Sequence, residues 1–204
     1  MRRAAVPLLL AVALAAAPSA GAAPDTRTYR IADVKLSFAV PATWVRLTLR
    51  DGVGSAGERL RRESPHLAMI HEAMTRAVPA ARLVAYDPST RRGFVTNVNV
   101  IVTRVPAGLG FDQYLRLTRA ELLQLPGLVA SPAVRATTLP AGPAARSHLR
   151  ATVVVDGRRV VGDVTQFAFL RDGRSIVLSF TSAATAAARN APVVARSAAS
   201  IRFG

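Results

Sequence analysis

Apolar and polar residues alternate from residue 144 to residue 182, and this pattern predicts a three-stranded antiparallel meander. Two pairs, Asp156-Gly157 and Asp172-Gly173, interrupt runs that are rich in β-branched and aromatic residues. Asp-Gly favours the two-residue hairpin turn in which both residues have positive φ angles. We therefore expect these pairs to be the turns of the meander, and the rest of the chain to be organised around it.

The two turns fix a register that the structure can test. The first turn places Arg150 opposite Asp163. The same turn places Ser147 opposite Gln166, which the second turn places opposite Ser179.

Both faces of the meander are apolar over part of their length. One face carries small and aliphatic residues: Leu149, Ala151, Val153, Val160, Val164, Ala168 and Val177. The other carries larger ones: Phe167, Phe169, Ile176, Leu178 and Phe180. A sheet with one side in water would alternate cleanly, so both faces need cover. The sequence predicts an α+β fold in which an antiparallel β-sheet has helices packed on both faces, an α/β/α sandwich.

The rest of the chain supplies further strands and the helices that cover the sheet. The strand pattern predicts a hairpin over 28–40, an edge segment over 45–49, and strands over 80–87, 94–105 and 134–139. The helical pattern predicts helices from Ser64-Pro65, over 110–125, and over 183–199, the last interrupted by Pro192.

Residues 1–22 have the pattern of a secretory signal peptide. Two arginines precede an apolar run over 4–17, which is shorter than the ~20 apolar residues that span a bilayer. Ala20-Gly21-Ala22 offers a small-residue cleavage pattern, so the mature chain is expected to start near Ala23 and to form one domain over 23–204. The chain has no cysteine, which excludes disulfides, thiolate metal sites and a lipid anchor on an N-terminal cysteine. We expect a secreted or extracytoplasmic protein.

The mature chain is strongly basic. The sequence has 27 basic and 12 acidic residues, and removal of Arg2 and Arg3 leaves a net charge of about +13 with histidine neutral. Because Lys35 is the only lysine, a GC-rich codon bias accounts for arginine over lysine, but not for the basic excess. Such a charge favours anionic partners. We expect an anionic envelope polymer, an anionic membrane surface or another envelope protein as the partner, no nucleic acid, and a monomer.

One group of polar residues is predicted to share a sheet face. Asn97 and Asn99 lie two positions apart on a strand, and Ser147, Gln166 and Ser179 form a row across the meander. These side chains either line a small-molecule pocket or form a satisfied hydrogen-bonded cluster inside the sheet.

A second group surrounds His148, which the register places on one face with Arg146, Arg150, Asp163 and Thr165. A Ser-His-Asp hydrolase would need a nucleophile elbow such as Gly-x-Ser-x-Gly, and the sequence contains none. We therefore expect no catalytic residue. Arg146, His148 and Arg150 are candidate ligand-binding residues.

Neither a metal site nor a cofactor site is expected. His66 and His71 are about 140° apart around a helix, so they do not converge on one ion. The glycine-bearing segment 51–57 lacks the Gly-Lys-Ser/Thr that a phosphate-binding loop needs.

Three segments together resemble the PsbP-like family, particularly its exported actinobacterial-type members. They are Phe38-Ala39-Val40-Pro41-Ala42-Thr43-Trp44, Thr96-Asn97-Val98-Asn99-Val100, and the Gln166-bearing meander followed by a helix and Ser200-Ile201-Arg202-Phe203. The resemblance implies an antiparallel sheet between helices. It also implies binding to, or assistance of, other macromolecules, and no common reaction.

Three functions are consistent with these observations. The first is an exported, non-catalytic binding or accessory protein of the bacterial cell envelope with a basic surface. The second is a protein-protein interaction module that uses a sheet edge or a helix face. The third is an envelope hydrolase. The shape and the polar lining of a pocket would discriminate among them.

Overall fold

The computed structural model describes residues 25–47, 62–77, 80–91 and 93–204. The predicted signal peptide, the expected start at Ala23 and the glycine-bearing segment 51–57 lie outside these residues. Among the described residues, no helix is long and apolar enough to cross a bilayer.

The described residues form two antiparallel sheets and three α-helices. The strands are β1 (Thr26–Ile31), β2 (Leu36–Pro41), β3 (Val45–Arg46), β4 (Ala81–Tyr86), β5 (Asn97–Arg104), β6 (Ala133–Leu139), β7 (Gly142–Val155), β8 (Arg158–Arg171), β9 (Arg174–Ala183) and β10 (Arg202–Phe203). The helices are α1 (Pro65–Arg76), α2 (Phe111–Leu123) and α3 (Ala187–Ala199).

The larger sheet has seven strands in the order β3-β4-β5-β9-β8-β7-β6, and the predicted meander β7-β8-β9 is its longest part. The turn residues Asp156 and Gly157 have φ angles of 51° and 71°, and Asp172 and Gly173 have 48° and 67°. These positive angles are those that a tight two-residue hairpin turn requires.

The predicted register is confirmed. Arg150 lies opposite Asp163, Ser147 opposite Gln166, and Gln166 opposite Ser179. We call the face that carries Phe167, Phe169 and Phe180 the aromatic face of the large sheet.

Helices cover both faces of the large sheet, as the two-sided apolar pattern predicted. On the face opposite the aromatic face, Leu67 and Met74 of α1 pack against Val84, and Tyr114 of α2 packs against Ala168. The Ser64 hydroxyl caps α1 by accepting a hydrogen bond from the Leu67 amide at 3.3 Å.

The aromatic face is covered by α3 together with a second, three-stranded sheet in the order β1-β2-β10. The sequence predicted the β1-β2 hairpin, but it predicted one sheet where the structure has two. The chain end returns to the start, because Arg202 and Phe203 pair with Ser37 and Leu36. Phe38 and Ile201, both fully buried, join this small sheet to the main core.

The position of α3 is fixed at its C-terminal end. The Ser200 hydroxyl accepts a hydrogen bond from the Ala39 amide at 2.8 Å and donates one to the Ser197 carbonyl at 2.7 Å. The predicted interruption at Pro192 is wrong, since α3 continues through it. Proline removes one backbone donor from the helix, but the flanking turns retain theirs.

Candidate functional site

A cleft of about 660 Å³ lies between α3 and the aromatic face of the large sheet. It forms because α3 packs on β2 and over β8 and β9, whereas β7 and β6 continue beyond it. Its volume is in the range of ~300–1,000 Å³ that is usual for small-molecule sites.

The cleft extends both along the strands and across them, and along β7 its lining runs from Arg146 to Arg150, which is about 13 Å. Its lining comes from five neighbouring strands of the large sheet, from Asn97 on β5 through β9, β8 and β7 to Thr137 on β6. Neighbouring strands are about 4.8 Å apart, so four intervals give a length of roughly 19 Å.

Much of the cleft wall is apolar. Trp44, Phe167 and Phe180 line it from the sheet side, together with Leu139 from the end of β6. Apart from Asn190, the α3 side consists of small and aliphatic residues: Ala187, Ala188, Ala191, Val193, Val194, Ala195, Ala198 and Ala199. The alanines matter because larger side chains at these positions would fill the space between the helix and the sheet.

The polar residues concentrate at the β7-β8 side of the cleft. Asp163 is 8% exposed, and its Oδ2 accepts a hydrogen bond from Nε of Arg150 at 2.8 Å. The same oxygen lies 3.0 Å from Nε2 of His148. One carboxylate therefore neutralises Arg150 and orients the imidazole of His148.

Arg146 also lines the cleft, but no hydrogen bond or ion pair satisfies its guanidinium within the described residues. Directly opposite it on β6 lies Arg135, which is exposed and equally unpaired. Side chains that are opposite on paired strands have Cβ atoms about 4.5–5.5 Å apart, and like charges there repel. Arg146 is therefore an uncompensated positive charge in the cleft lining, and Arg135 adds a second one beside it on the same face of the sheet, although Arg135 itself is not part of the lining.

Asn190 of α3 adds a further donor. Its Nδ2 is buried without a hydrogen-bond partner, and the residue belongs to the cleft lining. A buried donor without an acceptor costs about 1–3 kcal/mol, and an acceptor supplied by a ligand would recover this cost.

The structure separates the predicted site residues into two groups. Arg146, His148 and Arg150 line the cleft, and Asn97 joins them at the start of β5 with its Nδ2 bonded to the Val95 carbonyl at 3.0 Å.

The other four predicted residues do not line this cleft, because alternation places them on the opposite face of the sheet. Alternation assigns Asn97 to that face too, but Asn97 is the first residue of β5 and borders the cleft at the strand end. There Gln166 donates through Nε2 to the Ser179 hydroxyl at 3.0 Å, with Asn99 opposite Ser179 and Ser147 opposite Gln166. The interpretation of a hydrogen-bonded cluster within the sheet therefore applies to Gln166 and Ser179.

Arg135 and Asn190 were not among the site residues predicted from the sequence. Arg135 was detectable, because residues 140 and 141 form the two-residue loop of the β6-β7 hairpin, which sets Arg135 opposite Arg146. Asn190 was not detectable, because its role depends on where α3 packs.

The His148-Asp163 pair does not extend to a nucleophile in the described part of the chain. Ser182 lines the same cleft, but its hydroxyl donates to the Ala183 carbonyl at 3.3 Å. A hydroxyl nucleophile would instead need to be hydrogen-bonded to the histidine that activates it.

The other two histidines lie on the opposite side of the sheet, in α1. Nδ1 of His66 accepts a hydrogen bond from the Val95 amide at 2.6 Å, and its ring packs on Phe94. Burial lowers the pKa of His66 to about 4. Within the described residues, no group of three or more metal-ligating side chains is present.

Comparison with known proteins identifies the fold. No protein-family model matches the sequence, and no curated protein matches it either. The chain is similar to the structure of PsbP (CyanoP) from the cyanobacterium Synechocystis sp. PCC 6803, with a TM-score of 0.50 and 12% identity over 94% of this chain and 99% of that one.

Two further solved structures support the same fold. LpqN of Mycobacterium tuberculosis, a protein involved in cell envelope biogenesis, matches with a TM-score of 0.50 and 13% identity over 88% of this chain and 90% of LpqN. The Ran-binding protein Mog1p of Saccharomyces cerevisiae matches with a TM-score of 0.50 and 9% identity over 89% and 96%. The chain has the PsbP-like fold that its motifs predicted, and identities this low establish the fold alone.

Proposed function

We propose that this chain is an exported, non-catalytic binding or accessory protein of the bacterial cell envelope, and that it holds a small ligand in the cleft between α3 and the sheet. The observation that carries the proposal is the cleft itself. Its volume of about 660 Å³ combines an apolar wall with a few convergent polar groups, which is the composition expected of a ligand site.

Export is supported by the sequence. Residues 1–22 have the charged start, short apolar run and small-residue cleavage pattern of a signal peptide. LpqN, which shares the fold, is involved in cell envelope biogenesis. The proposed location is extracytoplasmic, without a cysteine-linked lipid anchor.

Binding without catalysis is supported by the contacts of His148. Its Nε2 is directed at Asp163, whose Oδ2 is also bonded to Arg150. This arrangement holds a charged surface in place, and within the described part of the chain it gives the histidine no bonded hydroxyl to activate.

The basic charge supports an anionic partner. A net charge of about +13 on the mature chain would draw it toward anionic envelope polymers or anionic membrane surfaces.

A second candidate is a protein-protein interaction module, and β6 is the observation that favours it. This strand is at one edge of the seven-stranded sheet, is seven residues long, and is largely exposed. An exposed edge presents unpaired backbone groups to which a partner strand can add.

Native mass spectrometry of the protein recovered from a bacterial envelope tests the first proposal. The full chain is expressed with its own N-terminal segment, purified without detergent, and measured beside an Ala191→Trp variant that fills the cleft. We expect wild-type protein to carry a non-covalent adduct of small-molecule mass, which is lost on denaturation and absent from Ala191→Trp.

Ala120→Trp is the matched control, since Ala120 is an exposed helical alanine on α2, on the other side of the sheet. It should retain the adduct. Equal occupancy in all three proteins, or no adduct in wild type, would contradict a ligand site in the cleft. A chain that is retained in the cytoplasm at full mass would contradict export.

A further inference from the structure

We infer that the ligand of the cleft is a single-chain amphiphile with an acidic headgroup, bound with its chain along the apolar wall and its headgroup at Arg135 and Arg146. This inference rests on the proposed function, because it names the ligand of the same cleft.

The shape of the cleft suits a chain. The lining spans roughly 19 Å across the strands, around a cleft volume of about 660 Å³. This space runs across the strands between Phe167 and Phe180 on one side and the alanines of α3 on the other. An extended hydrocarbon chain would bury its length against this wall. The burial stabilises the complex by about 25 cal/mol for each Å² of apolar surface removed from water.

Three donor groups in or beside the cleft lack partners. Arg146 and Arg135 have no carboxylate partner within the described residues, and Nδ2 of Asn190 is buried without an acceptor. Among the described residues, Asp163 is the one carboxylate in the lining, and it is already bonded to Arg150 and His148. A bound headgroup must therefore supply acceptors, and carboxylates and phosphates do so in the planar or tetrahedral geometry that guanidinium groups match.

The charge arrangement independently favours an anion. Two arginines directly opposite each other on paired strands repel, and this repulsion destabilises the β6-β7 edge. An anion between them replaces that repulsion with two attractions. Arg150 does not offer a free positive charge to the anion, because Asp163 already neutralises it.

Fluorescence of Trp44 provides the assay. It is the only tryptophan in the chain, it is buried, and it lines the cleft. Purified mature protein is titrated with three probes of equal chain length below their micelle concentrations: tetradecanoate, tetradecyl phosphate and neutral tetradecanol. We expect the two acids to change the emission of Trp44 saturably, with the alcohol binding at least about ten-fold more weakly, since a charge-assisted hydrogen bond contributes ~1.5–3 kcal/mol.

The Arg135→Gln/Arg146→Gln double variant isolates the headgroup. Both acids should lose at least about ten-fold in affinity, while the affinity for tetradecanol stays unchanged. Arg116→Gln, an exposed position on α2 at the other face, removes a charge elsewhere and should leave all affinities unchanged. The ratio between tetradecanoate and tetradecyl phosphate shows whether the headgroup is a carboxylate or a phosphate.

Two results would overturn the inference. Tetradecanol binding as tightly as the acids would show that charge does not select the ligand, and an unchanged affinity in the double arginine variant would place the headgroup elsewhere. The proposed function would survive either result if wild-type protein still carried an adduct that Ala191→Trp lacked. Absence of both the adduct and any probe binding would remove the inference and the proposed function together.

Discussion

His66 should make the stability of this protein fall steeply in mild acid. The residue is 4% exposed, and its Nδ1 accepts the Val95 amide hydrogen at 2.6 Å. A protonated imidazole has no acceptor atom, so protonation would break this bond and place a charge in the core. Burial accordingly lowers the pKa of His66 from 6.5 to about 4.

The magnitude follows from the difference between the two pKa values. As the pH falls below 6.5, the unfolded chain binds a proton at this position before the folded chain does, so the folded state loses stability until the pH reaches about 4. Between pH 7 and pH 4 this loss is about 3 kcal/mol of unfolding free energy. Such a loss is a large part of the ~5–15 kcal/mol by which a typical domain is stable.

Urea unfolding at several pH values, for wild type and His66→Asn, measures the effect. Asparagine retains an acceptor oxygen near the position of Nδ1, but it does not titrate. Carboxylates and the other histidines contribute equally to both proteins, so the difference between the two curves isolates His66. We expect wild type to lose about 3 kcal/mol more than His66→Asn between pH 7 and pH 4. Parallel curves would refute the account of His66 as a buried neutral acceptor.

Three further predictions concern the cleft and the charge. Arg150→Gln should change the unfolding free energy by no more than ~1 kcal/mol, because half of the Arg150 side chain is exposed to solvent and the buried Asp163 keeps its contact with His148; a loss of several kcal/mol in urea unfolding would contradict this. His148→Ala should leave the melting temperature unchanged and remove no hydrolytic turnover, and loss of a measurable turnover in a folded variant would favour the envelope hydrolase. Binding of the mature protein to anionic vesicles should weaken steadily from low to physiological salt, since ions screen charges over about 10 Å at 0.1 M; binding that persists at high salt would indicate an apolar contact instead.

The sequence was sufficient to predict the meander because its signals are local. Asp156-Gly157 and Asp172-Gly173 adopt the positive φ angles that each turn needs, and every cross-strand pair then follows from counting. The contact between Arg150 and Asp163 at 2.8 Å was predictable for the same reason.

The second sheet and the cleft depend on contacts between distant parts of the chain. β10 has only two residues, and it pairs with β2 across more than 160 positions, so no local pattern indicates it. The cleft depends on how α3 packs on β2, a contact that includes the hydrogen bond from the Ala39 amide to the Ser200 hydroxyl. Strand alternation placed Arg146 and His148 on one face, but only the position of α3 makes that face a site.

The most direct test of the cleft as a ligand site is photocrosslinking with tetradecanoate that carries a diazirine near its chain end, followed by peptide mass mapping. We expect labels in α3 (Ala187–Ala199) and in the strands beneath it around Phe167 and Phe180, with competition by unlabelled tetradecanoate. Labels concentrated on α1 or α2, on the other side of the sheet, would contradict it.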